Sequence, residues 1–135
     1  MKTYKLNDLN NPLISVLMPA YNAEKYIKEA IESILNQTFS NFEFIIIDDG
    51  SIDATEEIIK SFKDSRIVYI KNEKNLGLIK TLNKGISIAR GEFIARMDSD
   101  DISMPQRFEL QLDVFKKYKG VDIVNVALKK MSEDG

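Results

Sequence analysis

Short apolar runs alternate along this chain with longer segments in which apolar residues recur every three or four positions. The short runs predict buried strands, and the longer segments predict amphipathic helices. The predicted strands span residues 14–18, 42–47, 66–70, 92–97 and 121–126. The predicted helices span residues 23–37, a segment that begins at Asp53, residues 78–90, and a segment that begins at Ser103. This alternation predicts an α/β domain with a mostly parallel sheet flanked by helices.

Local residues refine these predictions. Pro19 is expected to stop the first strand, and Asp53 and Ser103 are expected to be N-caps of their helices. Two helices carry an apolar stripe that is expected to face the sheet. The stripes consist of Ile27, Ala30, Ile31, Ile34 and Leu35 in the first helix, and of Ile79, Leu82, Ile86 and Ala89 in the third.

Unusual residues follow four of the predicted strands. They are residues 19–22, 48–51, 75–77 and 98–101. Ligands of open parallel sheets bind outside the carboxyl ends of the strands, and these ends share one edge. The sequence therefore predicts one functional site built from several loops.

The most informative of these loops is acidic. Asp98, Asp100 and Asp101 place three mutually repelling carboxylates in four residues. In an extended segment Asp98 and Asp100 point to the same side, and carboxylate oxygens are hard ligands suited to Mg²⁺ or Mn²⁺. The alternative is that Asp101 or Ser103 only caps the next helix.

The other loops also admit two interpretations. Residues 48–51 form a simple turn or place a carboxylate against a nucleobase N–H, with Gly50 allowing close backbone approach. Residues 19–21 end a strand or form a flat slot for a base. Lys80 and Arg96 are solvated side chains or phosphate contacts.

Composition limits the remaining possibilities. The chain has 135 residues, 44% of them hydrophobic, which suits one domain with a real core. It contains no Cys and no His, so thiol chemistry, histidine bases and histidine-ligated zinc are excluded within it. The net charge of −2 gives no support to nucleic-acid binding. Neither a signal peptide nor a membrane span is evident, and a cytoplasmic location is expected.

Residues 1–12 are expected to be a loosely attached leader, and residues 13–135 a single domain. The acidic pair Glu133 and Asp134 near the end is interpreted as a solvated tail without a catalytic role.

Six segments of the chain together resemble the opening of family 2 glycosyltransferases. They are residues 14–22, 34–39, 47–53, 75–78, 89–94 and 98–101. The resemblance covers about residues 13–126, with the segments in the same order and at similar spacing. It implies a GT-A (Rossmann-like) fold and a nucleotide-diphosphate sugar donor, most often a UDP-sugar, in glycan or polysaccharide synthesis.

The resemblance also implies roles for individual residues. Asp49 would hold the uracil edge with help from Asp48, and Asp100 would bind Mn²⁺ or Mg²⁺. Asp98 and Ser99 would contact ribose or complete the metal shell. The remaining residues of the implied nucleotide site are Pro19, Ala20, Tyr21, Gly77 and Lys80. Transfer in this family resembles one in-line displacement that inverts the anomeric carbon while a carboxylate removes the acceptor proton.

One departure from the family affects these expectations. The carboxylate base of the family lies well beyond the Asp-x-Asp loop, and this chain ends soon after that loop. We therefore expect an N-terminal fragment, truncated before the acceptor-binding half, that does not transfer sugar alone. The truncated face would favour self-association. The full-length enzyme would act on a glycan or lipid-linked acceptor, at the inner face of the membrane.

Two other functions fit parts of the pattern. One is a non-catalytic nucleotide-binding or interaction module of the same fold. The other is an aspartate-nucleophile phosphotransferase, which normally places its Asp-x-Asp motif after the first strand. Here the motif follows the fourth predicted strand, which disfavours that reading.

Overall fold

A computed structural model of the chain describes residues 11–130. Strands and helices alternate along it, as the sequence predicts. The strands are β1 (Ile14–Ala20), β2 (Phe42–Asp48), β3 (Ile67–Lys71) and β4 (Phe93–Arg96). The helices are α1 (Ile27–Leu35), α2 (Thr55–Ser61), α3 (Leu78–Ile88) and α4 (Arg107–Lys117).

The four strands form one sheet in the order β3-β2-β1-β4, and every pair is parallel. The register aligns Ala20 of β1 with Asp48 of β2, and Asp48 with Lys71 of β3. The carboxyl ends of these three strands are therefore level. The predicted parallel α/β sheet is confirmed.

Both faces of the sheet are covered. On one face, the apolar side of α1 packs with residues of α2 and α4 against alternate residues of β1 and β2. The apolar stripe predicted for α1 is confirmed, with Leu35 partly buried and the rest fully buried. On the other face, Leu17, Ile45 and Ile47 form a smaller cluster beneath α3. Every residue of β2 is buried, which explains the apolar run over residues 44–47.

Pro19 does not stop the first strand, which continues through Ala20. The carbonyl of Leu17 accepts a hydrogen bond from Met97 on the β4 side, so Pro19, two residues on, faces the same side. The pairing of β4 with β1 ends at Leu17. The missing N–H of Pro19 therefore costs the sheet no hydrogen bond.

The predicted buried stripe of α3 is wrong in part. Ile79 is 77% exposed and Ile86 is 53% exposed, whereas Thr81 and Gly85 are buried. A Cβ built on Gly85 would lie 3.2 Å from Ile47 Cδ1, which shows how closely the helix approaches the sheet there. The small residues therefore take the inner face, because larger side chains do not fit.

Two further predictions are corrected. Residues 121–126 form no strand, and Ile123 and Val126 are exposed. Ala54, not Asp53, is the N-cap of α2, although Asp53 Oδ1 accepts the N–H of Thr55, the first residue of the helix. Similarly, α4 begins after Gln106, so Ser103 is not its N-cap.

The leader prediction lies largely outside the described residues, and the interpretation of Glu133 and Asp134 lies entirely outside them. Within the described range, no helix combines the length and apolar character that crossing a membrane requires.

Candidate functional site

The loops that follow β1, β2, β3 and β4 all leave the same edge of the parallel sheet, which we call the rim. The chain order reverses at β1, since β2 and β3 lie on one side of it and β4 lies on the other. Ligands of open α/β sheets bind at such a reversal. The structure thus brings the predicted loops to one edge, with the acidic loop, residues 98–101, across this point from the loop after β2.

Five hydrogen bonds between backbone N–H groups and side chains connect the loop after β1 with the loop after β2 and the first residue of α2. All five have donor–acceptor distances between 2.8 and 3.1 Å. Three bonds run in one direction, from Asn22 N–H to Ser51, from Ala23 N–H to Thr55 and from Glu24 N–H to Asp53. Two run in the other direction, from Ile52 N–H to Asn22 and from Ala54 N–H to Glu24. Asn22 takes φ +48°, a left-handed conformation that asparagine tolerates.

Asp49 organises the third loop of the rim. Its Oδ1 accepts the Asn72 side-chain amide at 2.7 Å and the Leu76 N–H at 2.9 Å, and its Oδ2 accepts the Gly77 N–H at 2.9 Å. Burial alone would raise the pKa of Asp49, but these bonds and one from Thr81 outweigh it and hold the pKa below its usual value. Asp49 is therefore an ionised acceptor at the start of α3.

Asp48 is fully buried beside it. Its Oδ1 accepts the Ser51 N–H at 2.8 Å, and its Oδ2 accepts the Tyr69 hydroxyl at 3.3 Å. These bonds give Asp48 a structural role in the turn after β2. Its assistance to a nucleotide contact stays a prediction.

The remaining predicted nucleotide residues differ in exposure. Tyr21 is 49% exposed at the rim, Pro19 is half-buried, and Ala20 is buried. Gly77, at φ +87°, is the N-cap of α3, and Lys80 is exposed in the first turn of that helix. Tyr21 and Lys80 can therefore contact a ligand through their side chains.

The acidic loop follows β4 directly. Asp98 Oδ1 accepts hydrogen bonds from the Arg96 guanidinium at 3.0 and 3.1 Å, and Asp100 is exposed. Burial, then repulsion from Asp100 and Asp98, raises the pKa of Asp101. Within residues 11–130, no cluster of three or more acidic side chains is arranged to hold a metal.

Gln37, at the end of α1, anchors the segment that follows the acidic loop. Its Nε2 donates to the Met104 carbonyl at 2.7 Å and to Ser103 Oγ at 3.2 Å, and its Oε1 accepts the Phe108 N–H at 3.2 Å. Ser103 N–H also donates to Ser33 Oγ. One buried amide therefore fixes the path between the acidic loop and α4.

Arg107 closes the other side of the same loop. Its guanidinium donates to the Arg96 carbonyl at 2.8 Å and lies 3.6 Å from Met97 Sδ. The first residue of α4 is thereby tied to the last residue of β4. Both ends of the acidic loop are held by side chains of the chain itself.

Replacing Gln37 by alanine is expected to lower the free energy of unfolding by about 2 kcal/mol, because Phe108 N–H and Ser103 Oγ lose a buried partner. Urea unfolding measures this loss, and hydrogen exchange at Phe108 locates it. The matched control is Gln106→Ala, since Gln106 is exposed and makes no capping bond. Equal losses in the two variants would contradict the anchoring role.

Several residues of the site were not predicted as functional from the sequence. Gln37 lay within a segment that resembled the family, but that segment suggested no role for its amide. Asn72, Lys84 and Arg107 gave no signal, because each acts through a contact with a distant residue.

Comparisons with known proteins agree on the class. The sequence profile described as "Glycosyl transferase family 2" matches residues 15–134. An uncharacterised glycosyltransferase of Methanocaldococcus jannaschii is 44% identical over 134 residues, which are 96% of this chain and 46% of that protein. A UDP-Glc:alpha-D-GlcNAc-diphosphoundecaprenol beta-1,3-glucosyltransferase of Escherichia coli is 37% identical over 87% of this chain and 49% of its own length.

A solved structure is similar as well. TarS (residues 1–349) from S. aureus, in complex with UDP, superimposes with a TM-score of 0.73 and 30% identity, over 85% of this chain and 38% of that one. The sheet and its flanking helices match the GT-A arrangement of such structures. This chain spans about half the length of the curated relatives that it matches.

Proposed function

The chain belongs to glycosyltransferase family 2, and from that premise we propose that its rim binds the nucleoside diphosphate of a sugar donor, with a UDP-sugar as the donor class. One observation carries the proposal. Asp49 follows β2 and the acidic loop follows β4, and these two strands lie on either side of β1, where the chain order of the sheet reverses. The relative from E. coli is named for UDP-Glc, and TarS was solved with UDP.

The base end of the nucleotide lies at Asp49 in this proposal. Asp49 is an ionised acceptor whose Oδ2 accepts the Gly77 N–H, and a carboxylate accepts an N–H of a base edge in the same way. The half-exposed ring of Tyr21 offers a flat apolar surface beside the base and ribose, together with Pro19 and Ala20.

The diphosphate end lies at the acidic loop, where Asp98 and Ser99 contact ribose or complete the metal shell. The donors there fit a hard divalent cation, since Mg²⁺ and Mn²⁺ take carboxylates together with phosphate oxygens. Asp100, with Asp98, would supply one or two such ligands. A bound Mn²⁺ or Mg²⁺ would supply Lewis-acid stabilisation of the leaving diphosphate. Lys80 adds a positive charge at the start of α3.

For the whole protein we propose inverting transfer of the sugar to a hydroxyl of a glycan or lipid-linked acceptor, in polysaccharide synthesis at the inner face of the membrane. The described residues provide the donor side only in this scheme. The carboxylate that takes the acceptor proton is assigned to none of them. The chain alone is therefore expected to bind the nucleotide without transferring sugar.

Calorimetric titration of the chain with UDP, with and without Mn²⁺, tests this function. We expect binding that requires Mn²⁺ and that becomes at least about tenfold weaker in Asp100→Ala, because a cation ligand is lost. The control is Asp113→Ala, since Asp113 is an exposed aspartate on α4 paired with Lys116.

An absence of UDP binding under both conditions would refute the nucleotide site. Binding that is independent of Mn²⁺ and unchanged in Asp100→Ala would retain a nucleotide-binding module and remove the metal from the proposal.

A further inference from the structure

Asn72 links Lys84 to Asp49 inside the rim. Lys84 Nζ lies 2.6 Å from Asn72 Oδ1, and Asn72 Nδ2 lies 2.7 Å from Asp49 Oδ1 and 3.2 Å from Thr81 Oγ1. Asn72 is 2% exposed, Asp49 is 4% exposed and Thr81 is fully buried. In such a setting each polar atom needs a partner, and an unmade bond is costly.

The chemistry of Lys84 fixes the direction of this chain of bonds. An ammonium group has three donors and no acceptor, so the atom of Asn72 that faces it must be the carbonyl oxygen. The amide nitrogen then necessarily faces Asp49. The two backbone N–H groups of Leu76 and Gly77 also point at Asp49. Every described partner of the Asp49 carboxylate is therefore a donor.

We propose that Lys84 is a positioning residue that acts through Asn72 to keep Asp49 a hydrogen-bond acceptor, and that the rim thereby selects nucleobases with an N–H at the edge facing Asp49. Uracil and guanine present such an N–H, whereas cytosine presents a ring nitrogen lone pair. The proposal rests on the proposed nucleotide site and adds the determinant of its base preference.

Loss of the ammonium group would change the network in a defined way. Asn72 Oδ1 would be buried without a donor, because no other described donor bonds to it. The amide could then rotate so that its oxygen accepts a hydrogen bond from a protonated Asp49. The protonated carboxyl group has no negative charge, so its preference for a base N–H over a base lone pair becomes weaker.

The test is the ratio of UDP to CDP affinity, measured by calorimetry in Mn²⁺. In the unmodified chain we expect UDP to bind more tightly than CDP. Lys84→Met should lower the ratio about tenfold, the effect of one charged hydrogen bond. Lys84→Arg, which retains donors and charge, should restore it. Lys84→Gln, neutral and shorter, should also lower it and replaces the methionine variant if that one does not fold.

The matched control is Lys116→Met, which removes an exposed lysine from α4 and should leave the ratio unchanged. A purely structural role for Lys84 would weaken UDP and CDP binding equally and leave the ratio intact, which would overturn the inference. Tight UDP binding with an unaltered ratio in Lys84→Met would overturn it too.

If the chain binds neither nucleotide, the proposed function fails. A measurement on the ligand-free protein then still tests whether Lys84 acts on Asp49. Carbon-13 NMR of the Asp49 carboxyl should then give a higher pKa in Lys84→Met than in Lys116→Met. The same pKa in both variants would show that Lys84 does not act on Asp49.

Discussion

Glu43→Ala is expected to lower the free energy of unfolding by about 3 kcal/mol at neutral pH. Glu43 lies inside β2, only 4% exposed, and its Oε1 accepts the Ser15 hydroxyl at 2.6 Å and the Arg90 N–H at 2.7 Å. Its Oε2 meets the Arg90 guanidinium at 2.7 Å. The substitution removes the acceptor of the Ser15 hydroxyl and of the Arg90 backbone N–H and guanidinium, at the end of the sheet opposite the rim.

The loss should depend on pH with a definite sign. Burial would raise the pKa of Glu43, but bonds from Ser15 and Arg90 outweigh it and hold the pKa below its usual value. A carboxyl with a lowered folded-state pKa stabilises fully above its unfolded pKa, and the stabilisation is lost as the pH falls through the folded-state pKa. The loss of unfolding free energy caused by Glu43→Ala should therefore become smaller below about pH 4.

Urea unfolding at pH 7 and at pH 3 measures both effects. Glu32→Ala, at an exposed position on α1, is the matched control and should cost a few tenths of a kcal/mol. Equal losses for Glu43→Ala at the two pH values would show that packing, and not the ionised carboxylate, sets its contribution.

Gly50→Ala is expected to destabilise the protein by at least about 3 kcal/mol, and the reason is contact as well as conformation. Gly50 has φ +78°, and a Cβ there would lie 2.7 Å from the backbone carbon of Lys74 and 2.9 Å from the Asn75 nitrogen. Backbone atoms cannot rotate away. The turn that carries the Leu76 and Gly77 N–H groups to Asp49 must therefore move, and UDP binding should weaken with stability.

Gly120→Ala separates the cost of the left-handed conformation from the cost of the backbone contact. Gly120 has φ +86°, but among the described residues other than its chain neighbours none lies within 4 Å of its Cβ position, so only the conformational cost of about 1 kcal/mol applies. Thermal unfolding and UDP titration of both variants give the comparison. Similar losses in both would mean that the close approach of residues 74 and 75 contributes nothing.

Gly50 also shows what a sequence can reveal about such a site. The pattern Asp-Asp-Gly-Ser after an apolar run admitted either a simple turn or a functional loop in which Gly50 allows close backbone approach. The close neighbour proves to be a turn of the same chain. Four of the strands, their parallel direction and the shared rim were predictable, because apolar runs and helical periodicity depend on residues near in sequence.

The parts that sequence reasoning missed depend on residues far apart in the chain. Glu43 meets Arg90, and Gln37 meets Phe108, across 47 and 71 positions. The inner face of α3 was assigned to Ile79 and Ile86 because they are large and apolar, whereas the tight approach at Gly85 admits only small residues. The apolar alternation of residues 121–126 predicted a strand, yet the described sheet gives that segment no partner.

The reciprocal bonds between the loops after β1 and β2 have a thermodynamic consequence for any molecule that binds beside them. Because the protein itself orders these segments as it folds, association does not incur their loss of conformational entropy. More of the favourable contact energy then remains as affinity, and a small fragment such as a free nucleoside gains as much from this preorganisation as a complete donor does.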